Sequence, residues 1–300
     1  MAAEEALEAF DGGAPPAPLR SKPPELEDWL NARLYHPLSR RLAAALEATP
    51  VTPNMVSIAG GLMVVVAGYF YVFVGGAAGV ALGLLAHALW HVLDGADGDL
   101  ARRTGKASPW GELIDGACDY VSHFLLYVML GVGLLTETIG WWAYPVGLAA
   151  GLSRIAQSNH AEGGRRTYLW RVYGIPWLKQ AQPKPKAERT GPLARLMAAV
   201  GDAYVAAASD PLAARVDDLV TADAPDGPAK RVCKELSRTP LRLQAILGPN
   251  LRTLALGLSM AAGTPLWFFL LEAVPFNLLL LWSKRAQRRC DMRLIERLAA

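Results

Sequence analysis

The sequence predicts an all-α integral membrane protein with six transmembrane helices and an N-terminal interfacial amphipathic helix. Two observations predict this fold class. Hydrophobic residues make up 52% of the 300 residues and mean hydropathy is +0.21, which favours a membrane protein with substantial polar parts. The apolar residues are also gathered into runs long enough to cross a bilayer, which takes about 20 residues for a helix.

The N-terminal region is expected to lie outside the bilayer. Residues 1–24 are first acidic and then rich in Pro, so we expect a flexible tail without a secretory signal. Residues 25–48 alternate apolar and charged side chains at a roughly helical period and include Trp29 and Tyr35. Aromatic residues of this kind suit the boundary between lipid and water. We expect a juxtamembrane amphipathic helix here and a membrane domain over 49–300.

The hydrophobic runs predict the positions of the spans. The fifth run is the weakest, because Gly248, Pro249 and Arg252 interrupt it. The six predicted spans cover residues 54–73, 77–96, 112–135, 140–157, 243–262 and 265–282.

The distribution of Lys and Arg predicts the orientation of these spans. Connections after the first, third and fifth spans contain no basic residue. The opposite side contains Arg40, Arg41, Arg102, Arg103, Lys106 and the basic C-terminal stretch. Because basic connections stay on the cytoplasmic side, we expect both termini and the segment that follows the second span to face the cytoplasm. The predicted location is the cytoplasmic (inner) membrane.

The connection over about 159–242 is long, polar and basic, and we expect it to fold as short surface helices. Its aromatic residues lie beside Arg165, Arg166 and Arg171, which suits a membrane interface. A solvated loop with incidental aromatic residues is the alternative. The aromatic residues in question are Tyr168, Trp170, Tyr173 and Trp177.

Four carboxylates flank the connection between the second and third spans. Asp94 and Asp97 are three residues apart and Asp115 and Asp119 are four apart, so each pair shares one helix face. If the two helices pack side by side, the four side chains converge at the membrane boundary. Carboxylates in such a place are costly unless they are paired or bound to a cation. Their oxygen ligands suit one or two Mg²⁺ or Mn²⁺ ions, which commonly bind phosphates.

Small and basic residues between the carboxylates add to this interpretation. Glycines allow a close approach of backbone to ligand or helix, and Arg102 can bind a diphosphate with its planar guanidinium. The set therefore indicates a nucleotide-diphosphate site. Asp99 is an additional acid, which we expect to face solvent. The glycines are Gly95, Gly98, Gly111 and Gly116.

The segment resembles the CDP-alcohol phosphotransferase (CDP-alcohol phosphatidyltransferase) family, whose signature is D-x2-D-G-x2-A-R-x8-G-x3-D-x3-D. All eight positions are filled without a departure in spacing, and the T-P-N at Thr52 to Asn54 adds to the likeness. The resemblance does not cover the N-terminal tail or most of the long connection. The eight residues are Asp94, Asp97, Gly98, Ala101, Arg102, Gly111, Asp115 and Asp119.

This resemblance implies an enzyme of phospholipid synthesis. A CDP-linked lipid donor would transfer a substituted phosphate group to an alcohol acceptor and release CMP, in the lipid bilayer and in a homodimer. Asp94, Asp97 and Asp115 would bind the metal ions, and Asp119 would be both a ligand and the general base. The CDP moiety would lie against Asp97, Gly98, Ala101, Arg102 and Gly111.

Ionisable residues within the predicted spans are further candidates. Arg154 and Arg252 lie at about the depth of the aspartates, where they could bind a phosphate on the acceptor or extend towards the interface. Histidines near the aspartates could orient the carboxylates or be satisfied polar groups within the bundle. Glu272 has no predicted role beyond hydrogen bonding. The histidines are His87, His91 and His123.

Other classes of protein are less consistent with the sequence. A net charge of +3 does not indicate a nucleic-acid partner, and three scattered cysteines do not suggest a disulfide framework. Membrane prenyltransferases separate their two acidic motifs widely, unlike this chain. A divalent-cation transporter or metal-binding scaffold is the non-enzymatic alternative, but a transporter would place carboxylates near the midplane and show internal repeats.

Overall fold

The computed structural model describes residues 23–106, 109–137, 139–175, 211–224 and 227–299. Over these residues the secondary structure is helical, without β-strands. Short 3₁₀ or π-helical turns occupy Pro24–Leu26, Asn31–Tyr35, Phe70–Val74 and Gly140–Trp142. The α-helices are α1 His36–Leu46, α2 Pro53–Tyr69, α3 Gly76–Thr104, α4 Pro109–Glu137, α5 Ala143–Tyr173, α6 Pro211–Thr221, α7 Pro228–Leu236, α8 Arg238–Ile246, α9 Pro249–Ala261, α10 Leu266–Ala273 and α11 Pro275–Ala299.

Local sequence explains where the first long helices begin and end. The Thr52 side chain accepts a hydrogen bond from the backbone N–H of Met55 at 3.4 Å, and Pro53 occupies the first turn of α2. Both are common features of a helix start. Gly75 and Gly105 have φ angles of 62° and 65° and bound α3 at its two ends. Glycine adopts this left-handed conformation without the strain that a side chain would cause.

Among the described residues, four segments are long and apolar enough to cross a membrane, which supports the prediction of a helical integral membrane protein. They are Pro53–Val74, Gly76–Thr104, Ile114–Thr136 and Leu266–Leu298. Helices α5 and α9 cover the predicted fourth and fifth spans but are not among these four. The 13 residues of α9 rise only about 20 Å, whereas the hydrocarbon core is about 30 Å thick. The prediction of six spans is therefore not confirmed.

The described residues form two compact units. The larger unit contains residues 25–162 and 239–287. Its core lies between α2, α3, α4 and the helices that follow, and includes Val64, Trp90, Leu130 and Phe269. Helix α1 is attached to α3 by Ser39, whose hydroxyl donates to the carbonyl of Val92 at 2.8 Å.

The other unit contains residues 1–24, 163–238 and 288–300, as far as they are described, and it has a core of its own. Buried Val216, Val220, Cys233, Cys290 and Leu294 pack together there. The described part of the long connection is thus more than a set of surface helices. Its first part continues α5 as far as Tyr173, and α6 and α7 bury apolar residues that a solvated loop would expose.

Arg171 is not at a membrane interface, contrary to what its basic and aromatic surroundings in the sequence predict. It is buried, and it donates to Asp217 at 2.7 Å and to Asp291 at 2.6 Å. Burial lowers the pKa of a guanidinium, but the two carboxylates outweigh burial and raise the pKa of Arg171. Tyr168 is also buried, whereas Trp177 lies outside the described residues. Arg171 and Tyr168 therefore stabilise this unit from within.

Candidate metal and nucleotide site

Helix α2 brings the two acidic helices together. A Cβ at Gly60 would lie 3.4 Å from the Cβ of Leu93 on α3, and a Cβ at Gly61 would lie 3.4 Å from the carbonyl oxygen of Cys118 on α4. These two adjacent glycines let α2 pack closely against both helices at the level of the acidic segment. The predicted side-by-side arrangement of the acidic helix ends follows from this packing.

Three carboxylates meet at the site. One oxygen from each of Asp94, Asp115 and Asp119 lies within 4.8 Å of the others. Asp94 is exposed and the other two are partly buried, so the cluster is open to solvent on one side. Oxygen atoms alone make up this set of donors, which is the set that Mg²⁺ and Mn²⁺ prefer. The residues present therefore fit the divalent cation that the sequence predicts.

Asp97 lies next to this group but is held differently. Its side chain is 5% exposed and accepts a hydrogen bond from the hydroxyl of Ser57 at 2.5 Å. The backbone N–H of Gly98 also donates to it at 2.5 Å. Asp94 and Asp115 are close enough to act on its carboxylate electrostatically. Ser57 on α2 was not predicted from the sequence, because nothing local links it to a residue forty positions away.

The residues expected to bind CDP follow Asp97 along α3. Gly98 and Ala101 are partly buried, and Arg102 is exposed. Arg102 donates to Asp99 at 2.5 Å in an exposed ion pair, and Asp99 is not part of the group formed by Asp94, Asp115 and Asp119. Gly111, at the start of α4, is partly buried. The Asp99 carboxylate thus holds the guanidinium of Arg102 in the last turns of α3, next to the acidic segment.

Trp90 makes the direct contact with Asp119. Its indole Nε1–H donates to the carboxylate at 2.9 Å. His123 donates from Nδ1 to the backbone carbonyl of Asp119 at 2.8 Å, and His91 bonds the hydroxyl of Thr253 at 2.9 Å. Sequence reasoning considered the histidines here and missed the tryptophan. The available signal was the position of Trp90, one turn before Asp94 and therefore on the same face of α3.

A small cavity of about 10 Å³ lies beside these rings, with room for about one water molecule. Arg154 lines it, and its guanidinium carbon lies 5.6 Å from the ring centroid of Tyr127. Among the described residues, three buried atoms around it have no hydrogen-bond partner: Nδ1 of His87, Nε2 of His123 and the hydroxyl of Tyr127. The cavity therefore has an arginine and unpaired polar atoms beside a lining that is mostly apolar.

Arg252 lines the same cavity but has its donors occupied. It is 3% exposed, forms an ion pair with Glu272, and donates to Gln157 at 2.9 Å and to the carbonyl of Leu247 at 3.1 and 3.2 Å. Its guanidinium also lies 5.1 Å from the ring centroid of Phe276. This is the geometry of a buried structural ion pair. The ion pair also explains why a carboxylate, that of Glu272, can be buried at this position.

The helices and the site define an integral membrane protein with a carboxylate cluster suited to a divalent cation at the end of two spans. Residues 50–207 match the CDP-alcohol phosphatidyltransferase family, and the chain belongs to that family. Over 109 residues the sequence is 33% identical to archaetidylinositol phosphate synthase of Pyrococcus horikoshii. The matched region is 36% of this chain and 55% of the relative, so the chain spans about half the length of that relative.

Proposed function

We propose that this protein is a membrane enzyme of phospholipid synthesis that transfers a substituted phosphate group, such as a phosphatidyl group, from a CDP-linked lipid donor to an alcohol acceptor and releases CMP. The observation that carries the proposal is the meeting of carboxylates from both halves of the signature, with oxygens of Asp94, Asp115 and Asp119 within 4.8 Å of one another. Membership of the family supports it and disfavours the transporter alternative.

In the proposed mechanism the four aspartates of the signature would hold one or two Mg²⁺ or Mn²⁺ ions. A bound cation neutralises charge on the diphosphate of the donor. Gly98, Ala101 and Gly111 leave room for the nucleotide. Arg102 gives up its hydrogen bond to Asp99 and donates to a diphosphate oxygen instead. Asp119 takes the proton of the acceptor hydroxyl. The hydroxyl oxygen then forms a bond to the phosphorus that carries the lipid, and the bond from this phosphorus to CMP breaks.

The acceptor we propose is a phosphorylated polyol of the inositol phosphate type. The name of the relative from Pyrococcus horikoshii supports this choice. Arg154 provides the cation, because it is close enough to Asp119 to act on its carboxylate electrostatically. We assign Arg252 to the ion pair with Glu272, since its donors are already bound to protein acceptors.

We also propose the membrane arrangement that the sequence predicts. Helix α5, and α8 together with α9, would complete a set of six spans, and residues 25–48, which are helical over 31–46, would lie at the interface as the amphipathic helix. The basic connections support a cytoplasmic orientation of the aspartates and of both termini. A homodimer rests on the family resemblance alone.

The test is Mg²⁺-dependent release of CMP from CDP-diacylglycerol by the purified protein in detergent. Acceptors to compare are inositol phosphate, inositol and glycerol 3-phosphate. Removing the cation with EDTA should abolish release, and added Mg²⁺ should restore it. Because general-base catalysis contributes about 10²- to 10⁴-fold, Asp119→Asn should lower the rate by at least about a hundredfold. Arg154→Gln should raise the KM for the phosphorylated acceptor alone.

Asp218→Asn is the matched control, because it removes the same charge from an exposed position on α6. It should leave the rate unchanged. Full activity of Asp119→Asn would contradict the proposed chemistry. Equal use of inositol and inositol phosphate, unaffected by Arg154→Gln, would contradict the proposed acceptor and leave the transfer reaction intact.

A further inference from the structure

Trp90 is not part of the family signature, yet it contacts Asp119, the aspartate proposed to be both a metal ligand and the general base. It is on α3, one turn before Asp94, and its Nε1–H reaches across to Asp119 on α4 at 2.9 Å. The indole nitrogen can only donate, so its partner is an acceptor by necessity. Of the Trp90 side chain, 4% is exposed, so water does not compete for this bond.

The surroundings of Trp90 hold the indole in one orientation. Its ring centroid lies 4.4 Å from that of His91, 4.6 Å from that of His123 in an edge-to-face arrangement, and 5.5 Å from that of His87. On the other side, a Cβ at Gly60 would lie 3.5 Å from the Trp90 Cδ1. Rotation of the indole would require these neighbours to move.

Asp119 therefore has contacts from two directions. Trp90 binds its carboxylate, and His123 binds its backbone carbonyl at 2.8 Å. A carboxylate that accepts one fixed hydrogen bond has fewer orientations available to it, and one oxygen of Asp119 lies within 4.8 Å of oxygens of Asp94 and Asp115. Ligand carboxylates in metal sites commonly depend on such a neighbouring donor, and losing it typically lowers metal affinity by about 10- to 100-fold.

We propose that Trp90 is a positioning residue that keeps Asp119 in the orientation in which it joins Asp94 and Asp115 around the cation. This inference rests on the proposed function, because it assumes that Asp119 is a metal ligand. Trp90 itself contacts neither the cation nor the substrates. Through its hydrogen bond to Asp119, the indole N–H strengthens the binding of the cation and thereby raises the rate of CMP release.

The experiment measures Mn²⁺ binding to the purified protein in detergent by electron paramagnetic resonance, without any substrate. Trp90→Phe removes the N–H and should raise the Kd for Mn²⁺ by at least about tenfold. Because Phe is also smaller, a second variant carries benzothienylalanine at this position, which keeps the shape of the indole and replaces the N–H with sulfur. It should show the same rise in Kd.

The matched control is Tyr71→Phe. Tyr71 is 1% exposed and its hydroxyl has no hydrogen-bond partner among the described residues, so removing this polar group from a buried ring should leave the Kd unchanged. The Mg²⁺ concentration that gives half of the maximal CMP release should rise in the two Trp90 variants in parallel with the Kd. In those variants the KM for the CDP-linked donor at saturating Mg²⁺ should stay within about twofold of wild type, because Trp90 does not contact substrate.

Asp119→Asn separates the two proposals. If Asp119→Asn binds Mn²⁺ weakly while the benzothienylalanine variant binds it like wild type, the positioning role is wrong and the proposed function stands. If Asp119→Asn itself binds Mn²⁺ with wild-type affinity, Asp119 is not a ligand, and the metal assignment fails together with the inference. Weak binding in Asp119→Asn and in both Trp90 variants supports the positioning role.

Discussion

The buried ion pair between Arg252 and Glu272 yields a prediction about stability. Glu272 is fully buried and Arg252 is 3% exposed. Glu272→Met leaves a buried guanidinium without its counter-ion, and breaking a buried pair in this way costs about 3–5 kcal/mol. Arg252→Met leaves a buried carboxylate and also removes the donor from Gln157 and Leu247, so we expect a cost at least as large.

The double variant shows whether the cost comes from unpaired charge. With both charges removed, only the acceptors on Gln157 and Leu247 lose their donor, and an unsatisfied buried acceptor costs about 1–3 kcal/mol. Two such acceptors cost about 2–6 kcal/mol together, so the double variant should be more stable than Arg252→Met, which leaves the Glu272 carboxylate without its counter-ion as well, and should cost less than the two single variants added together. The coupling should be at least about 2 kcal/mol, or roughly 30-fold in the unfolding equilibrium.

Equilibrium unfolding of the four proteins in detergent micelles measures this coupling. Costs that add to within about 0.5 kcal/mol would refute the ion-pair reasoning. Kinetics of the double variant test the assignment of Arg252 as well. A stable double variant with an unchanged KM for acceptor supports a structural role, whereas a raised KM would support the prediction from sequence that Arg252 binds the acceptor.

Two more predictions concern packing in each unit. Gly61→Val should push α4 away from α2, because a Cβ at Gly61 would lie 3.4 Å from the carbonyl oxygen of Cys118. Overpacking of this kind costs about 1–3 kcal/mol, and the rate of CMP release should fall. The control Gly131→Val should have little effect, because a Cβ at Gly131 would meet nothing within 4 Å. Equal activity of the two variants would contradict the close-approach argument. Arg171→Met removes the buried counter-ion of Asp217 and Asp291 and should destabilise its unit by about 3–5 kcal/mol. Cys233 is fully buried, so the native thiol should react slowly with maleimide, and it should react faster in Arg171→Met because the destabilised unit opens more often. Unchanged labelling would show that the buried ion pairs do not stabilise this unit.

Much of the candidate site could be predicted because its residues are close in sequence. Helical spacing places Asp94 with Asp97 and Asp115 with Asp119 on common faces, and the connection between their helices is too short to separate them widely. The convergence of Asp94, Asp115 and Asp119 is what the structure adds. Asp97 lies beside them, held by Ser57.

Contacts between distant segments could not be predicted in the same way. Trp90 looks like an ordinary apolar residue of a span, and only the packing of α3 against α4 reveals its partner. Arg171 lies in a basic, aromatic stretch that is typical of an interface. The structure instead buries it against Asp217 and Asp291, residues 46 and 120 positions away.

The sequence by itself determined the helical membrane class, the acidic site and its likeness to one family, because hydrophobic runs and helical spacing are local properties of a chain. Only the tertiary structure decided which donor orients Asp119, why Arg252 is bound to Glu272, and that part of the long connection has its own buried core. Those outcomes depend on which side chains share a buried volume. A buried charge or indole N–H needs a partner wherever the fold places one, and nothing in the local sequence identifies that partner.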